Sequence, residues 1–450
     1  MSLYNPGMRY PLLLSLALLG SVAVLSAQAP SNDAALVARA RAIHDRVITL
    51  DTHNDIEPEN FTATKNYTQR LDTQVNLPKM VEGGLDASFF IVYVGQPNLK
   101  EQPDALSPAG YDRAYKQAIE KFDAVHRLTE QIAPDKIGLA LTADDVRRIA
   151  ASGRKVALIG VENGWAIGED LRRVKEFYDR GGRYMSLAHN GNNQLSDSNT
   201  GEREGYSWKN GISPMGERVI AEMNRLGMMV DVSHPSKGSM MRAAELSKAP
   251  IIASHSAARA LCDVPRNMDD DMLKALAKTD GVVQIVGYPS YVKTPKPDSP
   301  ERTAALTALR NDFGLPAPPP PIASGAPGNT RPFRTAVEAL PVARRAEYDK
   351  RLADISTRMP ADPPGAVKDL VNHIDYVVKL IGIDHVGISS DFDGGGGLSD
   401  WRDAADTFNV TLELVRRGYT EEQIAKIWSG NLLRVMDRVQ AVAKELQAAR

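Results

Sequence analysis

A (β/α)8 TIM barrel is the architecture this chain predicts. Eight short apolar runs recur along it, at 46–52, 87–94, 155–161, 183–188, 227–232, 250–254, 281–287 and 385–390. Segments with the 3.6-residue apolar period of amphipathic helices lie between them, as at 169–178 and 215–226. Runs such as Val156-Ala157-Leu158-Ile159-Gly160-Val161 are apolar on both faces, as a buried parallel strand reads. Eight alternating β and α units imply a closed barrel. A doubly wound open sheet is the alternative, and it accounts less well for polar residues gathered at so many strand ends.

The elements follow in order. Arg9 precedes an unbroken stretch of apolar and small residues from Leu12 to Ala27, then Gln28-Ala29, which reads as a signal peptide spanning 1–29. An uncleaved anchor is the alternative, although the stretch is short for a membrane span. No cysteine lies near it, which excludes a bacterial lipid anchor, so a periplasmic or secreted protein is expected. Residues 30–450 then form a single barrel domain. Ser213-Pro214 supplies a cap and a first-turn proline to one helix, and Gly181, Gly227 and Gly281 stop helices just before the next strand. One region breaks the rhythm. Residues 294–366, between the seventh and eighth strands, contain Pro316-Ala317-Pro318-Pro319-Pro320-Pro321 and read as an insertion with helical patches at 301–313 and 342–358.

Composition excludes several classes of function. The net charge of −2 and the lack of any Lys/Arg stripe argue against a nucleic-acid partner. Cys262 is the single cysteine, so an internal disulfide and a cysteine-rich metal site are both ruled out.

The chemistry gathers at strand ends, where barrels of this kind carry their reactive groups. The first strand leads into Asp51-Thr52-His53-Asn54-Asp55, and residues i and i+2 of a strand share a face, so His53 and Asp55 can reach one ion. Later ends supply Glu162, His189, His234, His255 and Asp391. Four of the eight histidines fall at these ends; His44, His126, His373 and His385 do not, and read as structural. Taken singly, each is more simply a hydrogen-bonded loop residue or a helix cap. Together they offer nitrogen and oxygen ligands for two divalent ions, and zinc accepts both when cysteine is absent. The two oxygens of Glu162 suit a bridge, and a bridged pair can share a water whose pKa is brought near neutral. Asp391 is then free for proton transfer, and His189 for polarising a carbonyl or an oxyanion. Arg266, followed by Asn267, offers its fork of donors to a substrate carboxylate.

Several segments together closely resemble the membrane (renal-type) dipeptidase family. They are Asp51-Thr52-His53-Asn54-Asp55, Leu187-Ala188-His189-Asn190, Val230-Asp231-Val232-Ser233-His234, Ala253-Ser254-His255-Ser256, Arg266-Asn267-Met268-Asp269-Asp270 and the stretch from Gly382 to Gly394. The likeness covers roughly 45–295 and 367–440. It implies a binuclear zinc dipeptidase on an amidohydrolase-like barrel. By resemblance, His53 and Asp55 hold one zinc, His234 and His255 the other, and Glu162 bridges them. His189 and Arg266 bind substrate, and Asp391 is the acid/base. Tolerance of a C-terminal D-residue and a homodimer are expectations of the same origin. The chain departs from mammalian members at Glu162-Asn163-Gly164-Trp165, where they have Glu-Gly-Gly-His, so Trp165 is expected to reshape the substrate side-chain pocket.

The leading expectation is therefore a zinc dipeptidase with two Zn2+ per chain. A related amidohydrolase acting on N-acyl amino acids or lactones is the first alternative. A non-catalytic binding protein on the same barrel is the second, and the complete ligand set argues against it.

Overall fold

Short runs of β-branched and large apolar residues become the strands, and the helical segments between them force each strand to return parallel to the last. In a computed structural model, which describes residues 32–97, 99, 102–317 and 331–449, there are nine strands. They are β1 (Leu50–Asp55), β2 (Ala87–Tyr93), β3 (Ile137–Leu139), β4 (Lys155–Glu162), β5 (Gly182–Ser186), β6 (Met229–Asp231), β7 (Ile251–Ser256), β8 (Val282–Val286) and β9 (Val386–Ser389). All pair in parallel in the order β1-β2-β4-β5-β6-β7-β8-β9, with β3 beside β4. The amide of Asp55 donates to the carbonyl of Phe392 at 2.9 Å, just beyond β9, and this closes the barrel.

The expected (β/α)8 barrel is thus present, with two local differences. The first strand lies at 50–55 rather than 46–52, because a helix runs to His44 and the chain needs 45–49 to turn into the barrel. His53 and Asp55 therefore sit within the strand, not beyond it. The strand β3 was not expected; three residues are too few to show a period. The predicted signal peptide and most of the proline-rich run, at 318–330, lie outside the described residues.

The two ends of the barrel differ. At the start of the strands, Leu50, Met229, Ile252 and Val282 pack with Leu432, Leu433 and Met436 of the C-terminal helix Asn431–Ala448. That helix helps plug the lower mouth with apolar side chains, so the polar groups collect at the opposite, C-terminal mouth. The helix Pro214–Leu226 shows the expected local signals: Ser213 accepts from the Gly216 amide, and the chain leaves through Gly227 at φ 89°. The insertion forms helices Pro300–Asp312, Arg331–Glu338 and Val342–Arg358. Leu309, Phe313, Leu315, Tyr348 and Ile355 give it a small apolar nucleus of its own. Its base is held by Asp362, which pairs with Lys293 at 2.9 Å and accepts the Lys296 amide. Among the described residues, no helix is long and apolar enough to cross a membrane.

The histidines away from the strand ends bond the framework. His385 Nδ1 lies 2.8 Å from the Gly281 carbonyl, and His44 Nε2 2.8 Å from that of Gly83. His373, fully buried, accepts the Ala258 amide at Nδ1 (3.0 Å) and donates from Nε2 to the Val292 carbonyl (3.1 Å). Only the neutral ring can do both. Burial pushes its pKa down from 6.5 to about 4. The unfolded chain binds the extra proton between these values, so the stability His373 contributes is complete above pH 6.5 and declines as pH falls toward 4. Urea midpoints of the wild type and His373→Gln are expected to diverge least near pH 4 and most above pH 6.5. The acid-dependent part should be up to about 3 kcal/mol. Equal pH slopes for the two proteins would remove His373 from this role.

Candidate metal centre

Glu162 ends β4 and is buried at the C-terminal mouth. Its Oε1 lies 3.0 Å from His234 Nε2, 3.4 Å from His255 Nε2 and 4.0 Å from His189 Nε2. Its Oε2 lies 3.5 Å from His53 Nε2. His234 and His255 bring their Nε2 atoms within 3.0 Å of each other. Five strands, β1, β4, β5, β6 and β7, thus send one side chain each to a single point, from their ends or the loops that follow. Asp55 and Asp391 stand beside it. A Cβ added to Gly394 would collide with both Asp55 Oδ2 and Asp391 Oδ1, so the two carboxylates converge on that glycine.

The ring nitrogens are oriented from behind. Tyr184 donates its hydroxyl proton to the Thr52 carbonyl at 3.0 Å, so toward His53 Nδ1, 3.1 Å away, it can only accept. His53 therefore carries a proton on Nδ1 and turns Nε2 to Glu162. Gly160 permits this reach, because a Cβ there would collide with the Tyr184 ring. On the other side, Ser254 Oγ donates to Asp231 Oδ2 at 2.8 Å and lies 2.8 Å from His255 Nδ1, so it accepts the Nδ1 proton and leaves His255 Nε2 facing Glu162. Such outer hydrogen bonds fix the tautomer and orientation of metal-ligating histidines.

The electrostatics call for positive charge. Burial alone would raise the Glu162 carboxyl; His53, His189 and His234 outweigh it and hold it well below the usual range. Burial would lower His53, yet Glu162 lifts it to about 10. Burial raises Asp391 and Asp55 to about 7, and Glu162 adds to the shift of each. Burial also pulls His189 down to about 4 and His234 and His255 well below 6.5, with the Arg266 guanidinium adding to all three. His53 Nε2, Asp55 Oδ1 and Glu162 Oε1 are buried without an aligned hydrogen-bond partner. Unmet lone pairs around crowded carboxylates are what a divalent cation satisfies. Among the described residues, ligand atoms within 4.8 Å of one another form three groups: His53, Glu162 and His255; Glu162, His189 and His234; His53, Asp55 and Asp391. Zinc with His and carboxylate ligands fits this donor set.

The structure brings His53, Asp55, Glu162, His189, His234, His255 and Asp391 together. His189 stands at the edge of the cluster, with Nε2 4.0 Å from Glu162 Oε1 and Nδ1 3.4 Å from the Tyr93 hydroxyl. Arg266 is buried; Nη1 donates to the Ser233 carbonyl and Nη2 to that of His255 at 3.0 Å, while Nε has no partner. Asn267 is tied into its loop by its amide nitrogen. Its Nδ2 donates to the carbonyls of Cys262 and Tyr291, both at 2.8 Å, while its Oδ1 is buried without a hydrogen-bond partner. Trp165 is buried, and its Nε1 donates to the Ala105 carbonyl at 3.0 Å. The sequence reading missed Tyr93, Tyr184, Ser254 and Asp231. A signal existed for the last, an aspartate inside an apolar strand run.

A model of the family described as membrane dipeptidase (peptidase family M19) matches residues 37–450. Dipeptidase aclJ of Aspergillus oryzae is 29% identical over 412 residues, which cover 89% of this chain and 80% of that protein. The probable dipeptidase PvdM from Pseudomonas aeruginosa superposes with a TM-score of 0.72 at 31% identity, covering 91% of this chain and 99% of its own. A metallo peptidase from Rhodobacter sphaeroides, liganded with a phosphinate mimic of the dipeptide L-Ala-D-Ala, shares the fold. Its TM-score is 0.62 at 21% identity, covering 87% of this chain and 99% of its own.

Ser254→Ala breaks the link from Asp231 to His255 without touching the lone-pair edge. Metal affinity in a chelator competition is expected to fall about 10–100-fold. Wild-type affinity in this variant would show that the link does not orient His255.

Proposed function

The chain belongs to the membrane dipeptidase family of metallopeptidases, and from that premise we propose that it is a two-zinc enzyme cleaving the peptide bond of dipeptides. The observation that carries the reading is the approach of three histidine Nε2 atoms to within 3.0–3.5 Å of Glu162. His53 and Asp55 would hold one zinc, His234 and His255 the other, and Glu162 both. Bound there, the zinc pair supplies Lewis acidity, polarising the scissile carbonyl and making water acidic near neutral pH.

The chain's own groups do the rest. The Asp391 carboxylate takes a proton from water as its oxygen attacks the carbonyl carbon. It returns that proton to the departing amine nitrogen as the C–N bond breaks. Before any metal binds, burial and the neighbouring Asp55 and Glu162 raise the Asp391 carboxyl to about 7. His189 Nε2 faces the carbonyl oxygen as charge builds there. Arg266, with Nε unpartnered, takes the substrate's C-terminal carboxylate. A longer peptide has no carboxylate at that distance, so the site measures length. A C-terminal D-residue is included in the substrate class; the ligand of the Rhodobacter sphaeroides relative supports this. The N-terminal apolar run supports export to the periplasm or the medium.

Zinc-loaded protein should cleave L-L and L-D dipeptides, leave tripeptides intact and lose activity to a chelator. Cleavage of N-acyl amino acids in place of dipeptides would move the function to an aminoacylase. Asp391→Asn is expected to keep two zinc per chain and lose on the order of 10²–10⁴ in kcat. An active Asp391→Asn variant would end its role. Arg266→Met should raise KM for dipeptides far more than it changes zinc content.

A further inference from the structure

Asp391 must take up and return a proton at one place, yet the turn that carries it is poorly suited to hold it there. Asp391 and Asp393 both have positive φ, at 58° and 60°, a region that residues with side chains rarely adopt. Gly394, Gly395, Gly396 and Gly397 follow directly, and a run of glycine leaves the chain many other conformations. Part of the turn is held from the barrel. Phe392 is fully buried, with its ring centroid 5.2 Å from that of Trp401. Its carbonyl accepts the Asp55 amide, and the Gly397 amide donates to the Gly287 carbonyl, both at 2.9 Å. The amides of Gly394 and Gly396 turn inward, to the Asp391 carbonyl at 3.2 and 2.7 Å.

The outer side of the turn is held by one residue of a distant segment, Gln74, which lies just before the helix Leu77–Gly83. Its Oε1 accepts the Asp393 amide at 2.7 Å. Its Nε2 donates to the Gly396 carbonyl at 3.1 Å and to the Arg402 carbonyl at 2.6 Å. The side-chain amide can be read only one way, since an N–H faces its oxygen and carbonyls face its nitrogen. The Gln74 backbone amide completes the bracket, donating to Asp393 Oδ1 at 2.9 Å. One side chain thus spans the stretch from Asp393 to Gly396. The bracket is itself anchored. The Gln74 carbonyl accepts the Ala404 amide at 3.0 Å, and Lys79 of the following helix pairs with Asp403 at 3.0 Å.

The turn leads directly to the reacting acid. A Cβ on Gly394 would collide with Asp391 Oδ1 and Asp55 Oδ2, so both carboxylates rest against the backbone that Gln74 brackets. Gln74 makes no hydrogen bond to a side chain of the metal centre among the described residues, so it can act there only through the turn. Resting on the reading of Asp391 as the proton carrier, we infer that Gln74 is a positioning residue for the reaction. It holds residues 391–396 in the shape that aims the Asp391 carboxylate into the mouth.

The test uses two substitutions in zinc-loaded protein. Gln74→Met keeps the side-chain length and removes both kinds of bond. Gln74→Glu keeps the acceptor toward Asp393 but turns a carboxylate oxygen to the Gly396 and Arg402 carbonyls. Each should lower kcat on Ala-Ala about 10–100-fold, the scale of a small misplacement of a reacting group, while KM and zinc per chain stay at their wild-type values. In the Asp391→Asn background, Gln74→Met should leave the residual kcat unchanged, because the group it positions is already gone. A merely structural role would cost activity equally in both backgrounds. Amide hydrogen exchange reads the turn without turnover: Gly394 and Gly396 should exchange about tenfold faster in Gln74→Met, with the amides of β4 and β7 unaffected. Wild-type kcat in both variants, equal losses in the two backgrounds, or unchanged exchange at Gly394 and Gly396 would overturn the inference. Cleavage of no dipeptide by the wild type would instead overturn the dipeptidase reading, and the exchange would still decide whether Gln74 holds the turn.

Discussion

Everything at the C-terminal mouth is arranged around one buried carboxylate. Glu162 sits where β4 ends, closed off from water, with His53, His234 and His255 turned toward it at 3.0–3.5 Å. A buried charge is tolerated only when it is compensated, and here the compensation comes from side chains far apart in sequence. The barrel makes this possible by geometry. Parallel strands deliver their ends to one rim, and the C-terminal helix occupies the opposite rim with Leu432, Leu433 and Met436. Apolar packing at one end and lone-pair convergence at the other are two consequences of the same closed sheet.

A second layer holds the first in place, and it uses one device twice. Asp51 accepts from the Ser390 amide at 2.8 Å and from its hydroxyl, tying β1 to the end of β9. Asp231 accepts from the Ser254 amide at 2.7 Å and hydroxyl at 2.8 Å, tying β6 to β7. Each aspartate also caps its own turn, through the amides of His53 and Ser233. The seams on which His53, His234 and His255 depend are therefore stitched by buried carboxylates. Burial raises Asp51 to about 6, offset in part by Ser390. These bonds locate the ligand-bearing backbones, while Tyr184 and Ser254 set the rings.

Much of this was legible in the sequence, for a physical reason. Histidine is scarce in this chain, and an apolar strand run that ends in His or Asp has little structural use for it, so the rim stood out. The fold class followed from the alternation of runs. What stayed hidden is what depends on partners across the barrel. Tyr184 looks like one more large strand residue until its hydroxyl is seen 3.1 Å from His53 Nδ1, a neighbour 131 positions away. Ser254 reads as a small strand residue rather than as the link between an aspartate and a histidine. The start of β1 was misplaced because Val47 and Ile48 look as strand-like as the residues that pair. Asn267 was read by its place beside Arg266, and the sequence does not show that its Nδ2 is spent on the loop's own carbonyls.

The rim also exacts a local backbone conformation. Asn163, Asp391 and Asp393 have positive φ, at 75°, 58° and 60°. Asn and Asp tolerate the left-handed region better than other side-chain-bearing residues, at a cost of order 1 kcal/mol. The sharp turn at Asn163 follows Glu162 immediately, which lets the carboxylate end the strand pointing inward. At Asp391 the ligand-facing residue is itself the left-handed one, and Gly394, packed against its Oδ1 and Asp55 Oδ2, leaves no room for a side chain. Replacing either turn by a relaxed one would swing a carboxylate out of the mouth. The strain therefore belongs to the site: the chain bends where the chemistry needs two acids to face the same point, and the apolar barrel beneath keeps that bend from relaxing.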